Sequence, residues 1–195
     1  AAGKYKRSNL SFRLGSCDSI PLSTGSVDAV VSFETIEHLS EQAEMLQEIH
    51  RVLRAGGLLV ISTPEKLQYS DEPNYKNPFH ISEFYGSEFR TLLTQHFAHV
   101  EMYGQRIAAA SFVHAIDGTA DDAWIAHTGD ADHLAQATAC LSSPLYLIAV
   151  CSDDQVKVKA CSINSIYIDP SDDILKTLKG EWLQFAKEQE NSVGQ

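Results

Sequence analysis

The chain has 195 residues, 44% of them hydrophobic, and carries a net charge of -11. That is enough apolar material for a sizeable core, so disorder is excluded. A strongly acidic chain is repelled by nucleic acid and by anionic lipid surfaces, so neither is an expected partner. The four cysteines, Cys17, Cys140, Cys151 and Cys161, lack the tight spacing of a zinc knuckle or redox motif. No apolar run approaches the roughly 20 residues of a membrane span, and AAGKYKRSN at the start has no signal-peptide core. The expectation is a soluble cytoplasmic protein.

Residues 1 to 9 are polar and read as a connector. Leu10, Phe12 and Leu14 alternate with Ser11 and Arg13, which predicts a half-buried strand. Gly15 ends it, and Ser16-Cys17-Asp18-Ser19 is a polar turn. Val27 to Phe33 is apolar apart from Asp28 and Ser32, which predicts a strand inside a sheet. The run ends abruptly in Glu34, Thr35, Glu37 and His38. Ser40 is a candidate N-cap for a helix to Ala55, with Met45, Leu46, Ile49, Val52 and Leu53 on one face. Gly56 and Gly57 suit a left-handed helix cap, and Leu58 to Ser62 reads as a second buried strand. Strand, helix, strand predicts a parallel crossover.

Thr63 to Asn77 is a long polar and aromatic loop, the kind that serves as a lid or binding loop. A helix is predicted from Ser82 or Glu83 to His96, with Phe84, Phe89, Leu92 and Leu93 inward. His99 to Ile107 and Leu145 to Cys151 read as strands. Residues 108–143 look like an insertion carrying one helix. A strand near Ile163 to Ile168 and an amphipathic helix from Ser171, bearing Ile174, Leu175, Leu178, Trp182 and Phe185, complete the expectation. The division expected is a domain over 1–152 and a C-terminal extension over 153–195.

GSCDSIPL, VDAVVSFETIEHL and EIHRVLRAGGLLVIST, in that order, resemble the second half of a class I S-adenosylmethionine-dependent methyltransferase. The subgroup resembled includes ubiquinone-biosynthesis enzymes and many enzymes of surface-sugar gene clusters. The resemblance covers residues 10 to about 107. It implies an α/β, Rossmann-like sheet of order 3-2-1-4-5-7-6. On it, Leu10 to Leu14 would be strand 3, Val27 to Phe33 strand 4 and Leu58 to Ser62 strand 5. The strands at 99–107 and 145–151 would be 6 and 7. The family's glycine-rich cofactor loop and the acidic residue after strand 2 have no counterpart here. The expectation is therefore a sheet lacking strands 1 and 2, with open edges that favour a homo-oligomer or a complementing chain.

The resemblance implies S-adenosylmethionine as cofactor and a small-molecule acceptor, with a saccharide or nucleotide-sugar preferred. It places Ser16, Cys17 and Asp18 at the adenine and Phe33 and Glu34 along the cofactor. Glu34, Glu37 and His38 match a Glu-x-x-Glu-His set implicated in divalent-metal binding. Two carboxylates and an imidazole in one turn could hold such a cation. Alternatively His38, with Glu37 beside it, takes a proton from the acceptor, or the pair merely caps the next helix. Acceptor contacts are expected from the loop after strand 5, where Pro64, Tyr69, Tyr75, Asn77, His80 and Tyr85 are candidates. His127, Asp130, Asp132 and His133 read as an exposed acidic loop before a metal set, and His114 as a core histidine. The rival from another class is a non-catalytic fragment that uses its open sheet edges as an interaction module.

Overall fold

The computed structural model describes residues 3–107, 127–129, 134–136, 143–161 and Gly180. The elements below belong to one compact unit, Ala1–Arg106 with Ala123–Ser162. In chain order they are β1 (Val27–Ser32), α1 (Gln42–Val52), β2 (Leu53–Pro64), α2 (Gly86–Thr94) and β3 (His99–Gln105). A short pair follows, β4 (His127–Gly129) and β5 (Leu134–Gln136), then β6 (Tyr146–Ser152) and α3 (Gln155–Ala160). Four strands form one sheet in the order β1-β2-β6-β3, and β4 and β5 form a separate antiparallel ribbon. β1 and β2 run parallel, while β6 is antiparallel to both β2 and β3. This α/β sheet carries the order expected for strands 4, 5, 7 and 6.

Parallel neighbours need a crossover, and α1 supplies it. Its apolar stripe lies down as the periodicity predicts, with Met45, Leu46, Ile49 and Val52 all buried. Alternate residues of the strands, Leu59 and Ile61 on β2 and Leu147, Ala149 and Cys151 on β6, belong to the same cluster. Phe84, Phe89, Leu93 and Phe97 bring α2 and its flanks into it. One continuous core therefore joins α1, the sheet and α2. Burial pushes the Cys151 thiol up to about 12, so it is an inert apolar residue.

Arg51 ties the 20–24 loop to α1. Its guanidinium donates to both oxygens of Glu48 and to the carbonyls of Ile20 and Leu22. Glu48 in turn accepts from the Ile20 amide. The hydrogen bond from Arg51 holds the Glu48 carboxyl below its usual range.

Several expectations are corrected. Leu10 to Leu14 form no strand, and Leu14 is 98% exposed. Alternation makes a strand only where a neighbour completes the ladder, and no described strand lies beside this segment. β1 is accordingly the outer strand of the described sheet rather than an interior one, leaving Val31 64% and Phe33 55% exposed. α1 is shorter than predicted, and Ser40 does not cap it: its hydroxyl donates to the Glu41 carboxylate instead. The two glycines are not a helix cap either. β1 pairs Val27 with Leu53 and Ala29 with Leu58, so Arg54–Gly57 are looped out as an irregularity. Gly56 there has φ +65, and a Cβ on Gly57 would sit 2.9 Å from Leu53 Cδ2.

The 108–143 expectation lies outside the described residues except for β4 and β5, which are strands. The tail strand and helix, His114, Asp130, Asp132 and His133 also lie outside them. α3 was not foreseen. Asp154 caps it by accepting from the Val156 and Lys157 amides.

Leu46→Ala should cost roughly 2–5 kcal/mol, the range for emptying a core site, whereas Leu14→Ser should change stability by less than about 0.5 kcal/mol. Denaturant unfolding of the two variants measures both. A large loss from Leu14→Ser would restore the strand reading of that segment.

Candidate functional site

The apolar run of β1 ends in a sharp change of direction at Glu34, which has φ +49. A non-glycine residue in the left-handed region needs compensation. Ser62 on β2 supplies it: its hydroxyl accepts from the Glu34 amide and donates to Glu34 Oε1 at 2.6 Å. The 3-10 turn that follows, Ile36–His38, drives Ile36 fully into the core and carries Glu37 with it. Glu37 is only 1% exposed.

Glu37 Oε2 has one long contact, from Thr63 Oγ1 at 3.5 Å. Oε1 is buried with no hydrogen-bond partner and lies 3.6 Å from His38 Nε2. Burial raises the Glu37 pKa above its usual 4.5, and the Glu34 charge adds to this. Its own backbone amide and the nearby His38 and His80 act in the opposite direction.

The loop after β2 closes over this turn. The Ile81 and Ser82 amides both donate to the Glu37 carbonyl, at 2.8 and 3.2 Å. His38 Nδ1 lies 2.8 Å from the Phe79 carbonyl. The His80 ring meets the His38 ring edge-on, with centroids 4.9 Å apart. His80 is itself well buried, paired through Nδ1 with Glu83 Oε1 at 2.5 Å and through Nε2 with the Asn77 amide at 3.0 Å. Tyr69 stacks on His80, and Tyr75 and Tyr146 flank Tyr69. Burial raises the Tyr146 pKa, with a smaller push from Glu34. A cavity of about 530 Å³ opens beside this cluster, with Lys66, Ser70, Tyr75, Asn77 and His80 among its walls.

The expected site residues therefore separate into two groups. Glu37, His38, Tyr69, Asn77 and His80 come together, with Tyr75 at their edge. Tyr85 turns away: its hydroxyl donates to Asp71, which raises its pKa, and Lys66 lies over its ring. Pro64 is buried as the last residue of β2. Ser16 and Ser19 close a small bridge, Cys17 packs against the core, and Ser16 and Asp18 are exposed. Among the described residues no hydrogen bond links Ser16–Asp18 to Phe33 or Glu34. Glu83, Ser62 and Thr63 were missed. Glu83 stands three residues from His80, a spacing that could have flagged the pair.

The expected metal set also changes membership. Glu37, His38 and His80 each offer an atom within 4.8 Å of the others, whereas Glu34 is committed to Ser62. His80 could join a cation only by releasing Asn77 or Glu83, because both its nitrogens are engaged.

Residues 1–61 match a family described as a methyltransferase domain. A probable S-adenosylmethionine-dependent methyltransferase of Mycolicibacterium smegmatis is 42% identical over 93 residues, covering 46% of this chain and 35% of that protein. A probable S-adenosylmethionine-dependent methyltransferase of Mycobacterium tuberculosis is 47% identical over 77 residues, 38% of this chain and 27% of its own length. The chain thus spans about a third or less of these relatives. In structure it resembles a chain of the complex between the Haloferax volcanii Trm112 methyltransferase activator and a methyltransferase. That likeness has TM-score 0.53 at 19% identity and covers 78% of this chain and 64% of the other; it shows the fold. The matched stretches are thus similar to S-adenosylmethionine-dependent methyltransferases, and the sheet is Rossmann-like.

S-adenosylmethionine is the cofactor in the names of these relatives. Toward such a cofactor the described residues offer an exposed Phe33 ring just past the carboxyl end of β1 and an exposed polar turn at Ser16–Asp18. They offer no glycine-rich cradle for its methionine end, and no G-x-G-x-x-G run occurs in the sequence.

A raised carboxyl pKa means that the folded state holds the Glu37 proton more tightly than the unfolded chain does. That contribution is fully present below the unfolded value, near 4.5, and is lost as pH rises through the folded value. Glu37→Gln should therefore flatten the fall of melting temperature above pH 4.5 and leave it higher than wild type at pH 8. Thermal scans across pH check this; an unchanged slope would show that Glu37 does not titrate abnormally.

Proposed function

We propose that this chain carries the acceptor side of an S-adenosylmethionine-dependent methyl transfer to an oxygen or nitrogen of a small metabolite. The observation that carries the reading is the pair Glu37 Oε1 and His38 Nε2. They lie 3.6 Å apart, just past the carboxyl end of β1, and the carboxylate oxygen has no other partner. His38 is the accessible member of the pair, its side chain 40% exposed, and can meet a hydroxyl or amine donor with the buried Glu37 carboxyl at its back. The cofactor, when bound, supplies a methyl group already activated on sulfonium. This chain's residues then align the nucleophile and exclude water, and His38 takes the acceptor's proton at Nε2.

The acceptor preferred is a saccharide or a nucleotide-sugar. Tyr75 and the polar cavity walls suit hydroxylated rings, and Lys66 and Lys76, which also line the cavity, suit a phosphate. The free thiols of Cys17, Cys151 and Cys161 fit a reducing cytoplasm. A divalent cation at Glu37, His38 and His80 would polarise the same acceptor group, at the expense of the contacts of His80. One observation favours a second reading, the interaction module: β1 is the outer strand of the described sheet, and Val31 on it and Phe33 just past it are exposed, which suits a second copy or a complementing chain.

Calorimetric titration with S-adenosylmethionine and its demethylated product should give micromolar binding, unchanged by His38→Ala. Transfer of a labelled methyl group to saccharide acceptors should fall by about 10²–10⁴-fold in that variant. Unaltered turnover would remove His38 from the chemistry. A folded chain that binds neither compound would favour the interaction module.

A further inference from the structure

We infer that the Asn77–Glu83 segment sets the tautomer of His38, with Asn77, His80 and Glu83 acting as positioning residues rather than as acceptor contacts. The inference rests on the reading of His38 as the proton acceptor and assigns the groups that make it one. Its basis is a run of hydrogen bonds in which each direction is dictated by the one before.

The Phe79 amide can only donate, and it donates to Asn77 Oδ1 at 3.0 Å. That fixes which end of the Asn77 side chain is oxygen, so Nδ2 points away as a donor. Nδ2 lies 3.0 Å from His80 Nε2 and 3.3 Å from the Tyr69 hydroxyl. His80 Nε2 must therefore accept, which places the His80 proton on Nδ1, facing Glu83 Oε1 at 2.5 Å. A carboxylate accepts that proton's hydrogen bond, so the chain of donors ends consistently.

The same Phe79 residue turns its carbonyl to His38. A carbonyl only accepts, so the 2.8 Å contact places the His38 proton on Nδ1. Nε2 is left with a free lone pair, and this is the nitrogen that faces Glu37 Oε1. An imidazole free in water prefers its proton on the other nitrogen, Nε2, where it could not act as a base toward an acceptor. Phe79 is itself exposed, so no packing of its side chain holds the carbonyl in place. Its position comes from Asn77 before it, from His80 and Glu83 after it, and from the Ile81 and Ser82 amides bound to Glu37. Tyr69 stacks on His80 and completes the network.

The test is nitrogen-detected NMR of the whole chain labelled with ¹⁵N-histidine, at a pH where both rings are neutral. Two-bond couplings report which ring nitrogen carries hydrogen, without any substrate. Wild type should show both His38 and His80 protonated on Nδ1. Asn77→Ala and Glu83→Ala should move His38 toward the Nε2-protonated form. Glu83→Gln should keep the wild-type signature, because the amide oxygen still accepts from His80 Nδ1. Finding His38 protonated on Nε2 in wild type would overturn the inference, whatever the variants do. So would an unchanged His38 signal in Asn77→Ala and Glu83→Ala with native amide spectra. A failure of the methyl-transfer reading would look different: the tautomers would hold, and no methyl transfer or cofactor binding would follow.

Discussion

Two backbone amides, from Ile81 and Ser82, meet one carbonyl, that of Glu37. The rest of the site depends on this contact. It joins the turn that ends β1 to a loop more than 40 residues later, and it does so through main-chain atoms. The turn is held from below because Ile36 is fully inside the core. It is held from above by the loop. Between these anchors the Glu37 carboxyl is dragged into a place where only one of its oxygens finds a contact. Burying a carboxyl in this way is costly, and the fold sustains it beside an imidazole whose own proton is fixed elsewhere.

The core explains how such a cost is sustained. α1 and α2 both feed one apolar cluster with alternate residues of β2 and β6, and that cluster reaches up to Ile36 at the base of the turn. Ser62 and Thr63, at the end of β2, are buried polar residues directed to Glu34 and Glu37. Polar chemistry therefore begins where the apolar strands stop, at the carboxyl ends of two parallel neighbours, the usual place for a ligand in an open α/β sheet.

Much of this was legible from the residues themselves. Met45, Leu46, Ile49 and Val52 recur at helical spacing because one face of α1 meets the sheet, and the structure buries all four. The stretches from Val27, Leu58 and Leu145 are apolar runs bounded by polar turns, and each forms a strand of the sheet, as does the stretch from His99. The charged end of β1 also stands out in the sequence, since Glu34, Glu37 and His38 break an apolar run abruptly, although Glu37 is itself buried. Leu10 to Leu14 failed because alternation describes a face and says nothing about a neighbour. The interior place expected for β1 fails for the same reason: a run apolar on both faces does not reveal which flank is paired. Glu34 was grouped with Glu37 by adjacency, yet its positive φ sends its side chain to Ser62. His80 and Glu83 could not be linked to His38 from spacing, because the link is a tertiary contact made through Phe79 and Glu37.

Hydrogen exchange at the Ile81 and Ser82 amides tests most directly whether the loop is bound to the turn. Both belong to a loop segment whose side chains are largely exposed, so an unbound loop would exchange them as fast as the Lys76 amide, which meets no acceptor among the described residues. If the Glu37 carbonyl holds them, they should exchange orders of magnitude more slowly, approaching the amides of β2. Fast exchange at both positions would contradict the lock, and with it the placement of Glu37 and His38 as a preorganised pair.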